Sequence, residues 1–479
     1  MNQETLVRIV DKVGEKLTGD HWKDATTRRT LCALSCTTRR LLGPSRRHIF
    51  RRLDLSDSRE LSSWEYEREL RDFSNFLQQP TGPAQYVREL RLAFNGIQEE
   101  DDSSSEEDDS DDDGYYAFGN KRPKRVQEKT MMWKNYELIY ATHLTLFFKA
   151  LPSILDCFTS LKKLDLKSTF DEAILSLFPG VAVDAIYRCA KTNPLEHVAI
   201  SGMTATYSLL IQLPATLKNL ELMWVQQDDI DSKEYDEAVA APEKIKLWPD
   251  AMLGRRLMED LAEDPGALFT RITTFDFKVM DIVHLGHFHD ILSNHLSTIK
   301  DLTIRFDQSF VMDVPNFESA ISAVALPALK RLFIQFPNNG IRLDGTKMDS
   351  YTACPPHFAK IVEQYLGIAA LDNLQELEIS VDWSFEYQGY VHNPPSTLLD
   401  RAHSGWAGVN SRLSNKVVFP NLSSVKLTFS PKVTLYWPRQ ERPKSKDIQA
   451  QVLREAKTTF METSRRLGDK LEIDSKSYC

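Results

Sequence analysis

A short pattern, hydrophobic-x-x-hydrophobic-x-hydrophobic, recurs ten times along this 479-residue chain and limits what it can fold into. It stands at Phe50-Arg-Arg-Leu53-Asp-Leu55, Val87-Arg-Glu-Leu90-Arg-Leu92 and Leu161-Lys-Lys-Leu164-Asp-Leu166. It returns from Leu195, Leu217 and Ile272, and again from Ile299, Leu329, Leu374 and Leu422. The alternating last three positions predict a short strand with one buried face. The apolar residue three places earlier fills the turn that leads into it. Each strand offers too few apolar positions to make a core alone, so neighbouring repeats have to cover one another.

Helix-like stretches separate the strands, as over Glu172 to Cys189 and His357 to Leu366. Strands alternating with helices on one motif predict an α/β solenoid, its parallel strands on a concave face and its helices on the convex face. The motif resembles the leucine-rich repeat, in an irregular form. Successive starts lie 22 to 74 residues apart, and the Asn that usually follows the strand is present once, as Asn95. The alternative is a doubly wound sheet, which also alternates strand and helix. Against it stands the absence of a Gly-x-Gly-x-x-Gly after the first strand. A solenoid requires strands in sequence order, with Leu302 beside Phe275 and Leu332, and all helices in the opposite layer.

The first fifty residues are different. Leu6, Ile9, Val10, Val13 and Leu17 mark one helical face, and Leu31, Leu34, Thr38 and Leu41-Leu42 mark a second helix. Gly43-Pro44 is expected to break that helix, leaving a short third one from Ser45 to Phe50. Glu4-x-Leu6-x-x-Ile9-Val10, followed by Leu31 to Phe50 with its Ser-Arg-Arg-His-Ile-Phe ending, resembles an F-box. Asn2-Gln3 stand where Leu-Pro is usual, and Leu41 where Trp is common. The resemblance implies docking on a Skp-type adaptor and, through it, a cullin complex. Matched residue by residue, the adaptor surface is Leu6, Ile9, Val10, Leu34, Leu41 and Phe50. The alternative is that these residues are the core of a helical cap.

The domains expected are therefore an F-box-like bundle over 1–52, a first repeat-like segment over 53–98, an insertion over 99–130, the solenoid over 131–440, and a capping helix with tail over 441–479. Eleven acidic residues lie between Glu99 and Asp113, so a net charge of −9 becomes +2 without them. A run that repels itself and has nothing to bury predicts an unfolded insertion. Ser103, Ser104, Ser105 and Ser110 each precede an acid by three residues, which resembles the sites of acid-directed kinases of the casein kinase type. Lys121, Arg122, Lys124 and Arg125 follow as a candidate nuclear-import cluster. Two further gaps read as rim insertions. Gln226 to Leu268 is charged and partly helical, while Phe385 to Asn415 carries Tyr387, Tyr390 and Trp406. The second is either a target-binding loop or a covering layer. Ile448, Val452, Ala456, Phe460 and Leu467 predict one amphipathic terminal helix.

No chemistry announces itself. His284, His287, His289 and His295 lack the companions that zinc requires and read as surface histidines. There is no phosphate loop, nucleophile elbow or His-Glu-x-x-His. Cys32, Cys36, Cys157, Cys189, Cys354 and Cys479 contain no Cys-x-x-Cys pair and fit a reducing, intracellular setting, cytoplasm or nucleus. Neither a membrane span nor a broad basic field for nucleic acid is expected. The sequence therefore points to a binding protein without catalytic residues, metal or cofactor. By its resemblance to F-box proteins it would be the target-recognition subunit of an SCF-type ubiquitin ligase, holding a target protein that the sequence does not name. The alternative is a stand-alone interaction scaffold, nuclear where the basic cluster is read as an import signal, and an α/β enzyme without visible motifs comes third.

Overall fold

The computed structural model describes residues 10–13, 25–37, 39–56, 63–79, 82–94, 142–168, 180–202, 209–210, 213–225, 240–249, 255–263, 266–295, 297–307, 325–339, 356–368, 371–387, 405–435 and 445–475. The protein is α/β and divides into two compact units, Met1–Leu217 and Lys218–Cys479. All strand pairs described in either unit are parallel.

In the first unit β1 (Arg52–Ser56), β2 (Glu89–Phe94), β3 (Lys163–Ser168) and β4 (His197–Ser201) follow one another in chain order. Their register sets Leu53, Leu90, Leu164 and Val198 in one row and Leu55, Leu92, Leu166 and Ile200 in the next. The Gly180–Thr192 helix buries Ala182, Ala185, Ile186, Cys189 and Ala190, the i, i+3, i+4 stripe of a helix with one covered side. Asn193 follows it and is buried. Its amide nitrogen donates to the carbonyls of Phe158 (3.0 Å) and Cys189 (2.9 Å), and its oxygen accepts from the Leu161 N–H at 2.9 Å. One side chain thus satisfies the helix end and the turn into β3. Burial pushes the Cys189 thiol up to about 12, which keeps it protonated and inert.

The second unit carries β5 (Asn219–Val225), β6 (Lys244–Pro249), β7 (Thr274–Val279), β8 (Asp301–Phe306), β9 (Arg331–Asn339), β10 (Glu376–Tyr387), β11 (Ser424–Leu435) and β12 (Leu471–Ser475). These too lie in chain order, with no reversal within the unit, and β8 pairs with both β7 and β9 as the repeat spacing requires. Phe275, Leu302, Leu332, Leu377 and Val425 share one row, and Phe277, Ile304, Ile334, Ile379 and Leu427 the next, all of them buried. Aromatic residues from the helices close over the same face. Phe288 of the Ile282–His295 helix stacks on Phe277 at 4.4 Å, and Phe358 of the Pro356–Tyr365 helix lies 4.6 Å from Phe336. Trp406 and Phe460 meet Phe429 at 5.4 and 6.5 Å. Fully burying a side chain of this kind contributes about 1.5–3 kcal/mol.

A polar ladder runs along the strand entries. At β1 to β3 and at β5 to β10, the carbonyl of the residue before the strand accepts two N–H groups from the next rung. Arg88 and Glu89 donate to Arg51, Lys162 and Lys163 to Arg88, and Glu196 and His197 to Lys162. In the second unit the accepting carbonyls are those of Lys218, Glu243, Thr273, Lys300, Lys330 and Gln375, at 2.8 to 3.2 Å.

Several expectations need correction. The segment 226–268, read as an insertion, contains β6, whose Pro242-Glu-Lys-Ile245-Lys-Leu247 is a further repeat with proline in the turn position. The terminal amphipathic stretch is two helices, Ser445–Thr459 and Met461–Leu467, and β12 follows them where only a tail was expected. Gly43-Pro44 breaks nothing. The helices are Ala25–Thr37 and Arg39–Ile49, with Pro44 inside the second. Pro44 is the sixth residue of that helix and costs it the bond to the Arg40 carbonyl, while Arg46, Arg47 and His48 favour the helix C-terminus.

Candidate recognition face

Because side chains alternate along a strand, packing one face under helices leaves the other available to solvent or a partner. On β5 to β9 of the second unit that face is not a plain polar surface. Trp224, at the end of β5, is 41% exposed and adopts a positive φ of 56°, a conformation rare for a bulky residue. The Lys278 ammonium lies 4.1 Å from its ring centroid and pairs with Asp307, both charged groups being largely covered. A left-handed tryptophan costs on the order of 1–3 kcal/mol. The Lys278 contact returns about 0.5–1 kcal/mol of that.

A second group is built on Trp248 of β6. Lys246 sits 4.0 Å from the Trp248 ring centroid on one side, and the Arg305 guanidinium of β8 approaches to 5.7 Å. The Trp248 indole N–H donates to Asp276 at 3.2 Å. Arg305 spans the same carboxylate, with Nε 3.1 Å from Oδ1 and Nη2 3.3 Å from Oδ2. Its remaining terminal nitrogen, Nη1, donates to Gln335 of β9, and its plane lies 5.4 Å from the Phe333 ring. Two carboxylate bonds, an amide bond and two rings therefore hold the guanidinium in one orientation. Tryptophan and arginine fixed in this way form the kind of rigid, amphipathic surface that dominates protein–protein recognition. The sequence reading passed over Trp224, Trp248, Arg305 and Phe333. Phe333 stands between the last two apolar positions of its motif, whereas Trp224, Trp248 and Arg305 lie just beyond the end of theirs, and for β6 the motif itself was missed.

The residues singled out in the sequence are scattered. Val10 is fully buried, with Leu31 beside it and Val13, Leu34 and Ile49 packed around them. Asp11, next to it, accepts from Arg47 at 2.6 Å and meets His48 Nε2 at 2.9 Å. The His48 hydrogen bond, helped by Arg47 and opposed by partial burial, holds the Asp11 carboxyl below its ordinary range. Phe50 packs edge-on to Phe76 of the Ser63–Gln78 helix at 6.1 Å. Leu41 lies within the Arg39–Ile49 helix. Leu6, Ile9, Ser103, Ser104, Ser105, Ser110, Lys121, Arg122, Lys124, Arg125 and Tyr390 fall outside the described residues.

Tyr387 ends β10, paired in register with Leu435. Trp406, grouped with it as a loop aromatic, is instead a core residue at 1% exposure, so for this side chain the covering-layer reading holds. Two of the histidines read as surface residues are likewise buried, while His287 is half-buried. His284 is fully buried and His289 is 3% exposed, with Nε2 at 3.1 Å from the Tyr365 hydroxyl. Desolvation lowers the His289 pKa to about 4 and keeps the ring neutral. No group of three or more metal-ligating side chains occurs among the described residues, and none of the described helices is long and apolar enough to cross a membrane. No protein-family model matches the chain, and no curated protein matches it either.

Proposed function

We propose that this chain is the target-recognition subunit of an SCF-type cullin ubiquitin ligase. In this reading the N-terminal helices are an F-box that holds a Skp-type adaptor. The strands are leucine-rich-repeat-like rungs of a solenoid, and the open face of β5 to β9 holds the target. The observation that carries the recognition half is the pre-oriented Trp248–Asp276–Arg305–Gln335 set on a sheet whose other face is filled by helices. The adaptor half rests on the sequence from Leu31 to Phe50 and its Arg-Arg-His-Ile-Phe ending. The chain brings a target to a partner enzyme and performs no covalent chemistry itself.

Co-expression with a Skp-type adaptor tests the reading. A stable complex is expected on size exclusion. Leu6→Lys with Ile9→Lys places two charges in the proposed interface, a penalty of several kcal/mol, and should abolish the complex. A folded double variant that still co-elutes at the wild-type level refutes the adaptor assignment. The second reading, a stand-alone scaffold, draws on the mutual burial of Val10, Leu31, Val13, Leu34 and Ile49, which suits a helical cap as well as an F-box core.

A further inference from the structure

The strand-entry residues of the second unit show what the fold demands there and what it does not. Glu243, Thr273, Gln375 and Ser423 occupy the same place on their rungs as Lys300 and Lys330, and main-chain carbonyls and N–H groups make the ladder at all of them. The Thr273 and Ser423 hydroxyls add a bond of their own to the Glu243 and Gln375 carbonyls, at 3.3 and 3.1 Å, but nothing in the ladder calls for a positive charge. Yet Lys300 and Lys330 stand on consecutive rungs, the Lys330 N–H donating to the Lys300 carbonyl at 2.8 Å, and both are exposed. Like charges side by side on adjacent strands repel, so stability does not account for them.

Two nearby carboxylates are engaged by arginines, and a third, Glu376, stands in register with Arg331 and favours its charge. Glu243 faces Arg271 at 3.4 Å, and Asp301 binds Arg331 at 2.7 Å. Neither Lys300 nor Lys330 has an ion-pair partner within 4.0 Å among the described residues. The result is a local positive rim on a chain whose net charge is −9. Lys330 directly precedes β9 and Phe333 is the third residue of that strand, about 10 Å further on, so the rim and the Phe333–Arg305–Trp248 surface lie within reach of one short peptide.

We propose that this edge docks an acidic segment of a partner protein. Its carboxylates meet Lys300 and Lys330, and a neighbouring apolar or aromatic side chain rests on Phe333 and Trp248. The inference rests on the open face being the target-binding surface and specifies the target's chemistry. Complementary charge would also raise the association rate and make binding sensitive to salt.

The test is selection of a random dodecapeptide display library on the immobilised full-length chain, followed by titration of the enriched peptides. These should be net acidic and weaken as salt rises. They should lose about tenfold or more in affinity on Lys300→Glu with Lys330→Glu, and several-fold on Lys300→Gln with Lys330→Gln. Both positions are exposed, so thermal melts of the variants should match the wild type. Trp248→Ala should weaken the same peptides. Enriched peptides that are neutral or basic, or indifferent to both lysine pairs, overturn the acidic-segment proposal. If such peptides still require Trp248, the recognition face survives and only its chemistry is wrong. If neither change matters, both readings fall. A library without binders, or a mixed-sequence oligonucleotide that outcompetes the best acidic peptide, likewise overturns the proposal.

Discussion

Acidification should destabilise the second unit through one buried side chain, His289. Its ring is covered by the Ile282–His295 and Pro356–Tyr365 helices and meets the Tyr365 hydroxyl at 3.1 Å, with Phe288 5.6 Å away. The folded state keeps it neutral down to about pH 4, whereas the unfolded chain takes up a proton near the ordinary 6.5. Between those values the unfolded state binds more protons than the folded one. Stability is therefore complete above the unfolded value and is lost as the pH falls through the window. Integrated from about pH 8 to about pH 5, the loss from this group is about 2 kcal/mol. His289→Gln keeps a polar group at the site but does not titrate, so the comparison isolates the contribution from His284 and the carboxylates. Hydrogen exchange on the amides of β7 and β8 reads the opening free energy of this unit without assuming that the whole chain unfolds at once. Wild type and variant should differ in their pH slopes by about 2 kcal/mol over that interval. Parallel slopes would show that the His289 pocket is wet or that the ring is protonated in the folded protein, and the reasoning would fail.

Two further changes probe the frame itself. Phe277→Ala removes a ring from the second buried row and its stack on Phe288, and should cost about 3–5 kcal/mol in urea unfolding of the second unit. Asn193→Ala strands the Leu161 N–H and the Phe158 carbonyl in a buried setting. It should lower the stability of the first unit by about 2–4 kcal/mol, readable as a drop in its denaturation midpoint with an unchanged m-value.

The strands were legible where the motif was intact. Leu329-Lys-Arg-Leu332-Phe-Ile334 and Ile299-Lys-Asp-Leu302-Thr-Ile304 occupy β9 and β8 in neighbouring register. The reading failed where one position carried an unusual residue. Pro242 hid β6, although proline suits a turn position that uses no N–H of its own in the ladder. In β12 the preceding apolar residue, Leu467, stands four places before Leu471 instead of three. His284 was misread because its residue type outweighed its place. At helical spacing it shares a face with Phe288, Ile291 and His295, and the first two of these are buried. The recognition face was the least visible part. Trp248, Asp276, Arg305 and Phe333 lie 28, 29 and 28 residues apart in sequence, and only the register of the strands between them brings the four together.

The entry ladder has a direction. In the first unit the donors run from Arg88 and Glu89 onto Arg51 to Glu196 and His197 onto Lys162, and in the second from Glu243 and Lys244 onto Lys218 to Ser423 and Ser424 onto Gln375, always onto a carbonyl that precedes them in the chain. A ribosome delivers residues in that same order, so every emerging rung meets its acceptor already made. The strand bodies exchange bonds in both directions, as parallel pairing requires, but within each unit the entry bonds close like a zip from one end. Trimming from the C-terminus removes donors from this ladder and leaves entry carbonyls that water can satisfy. Trimming from the N-terminus deprives the next rung of the template on which it forms.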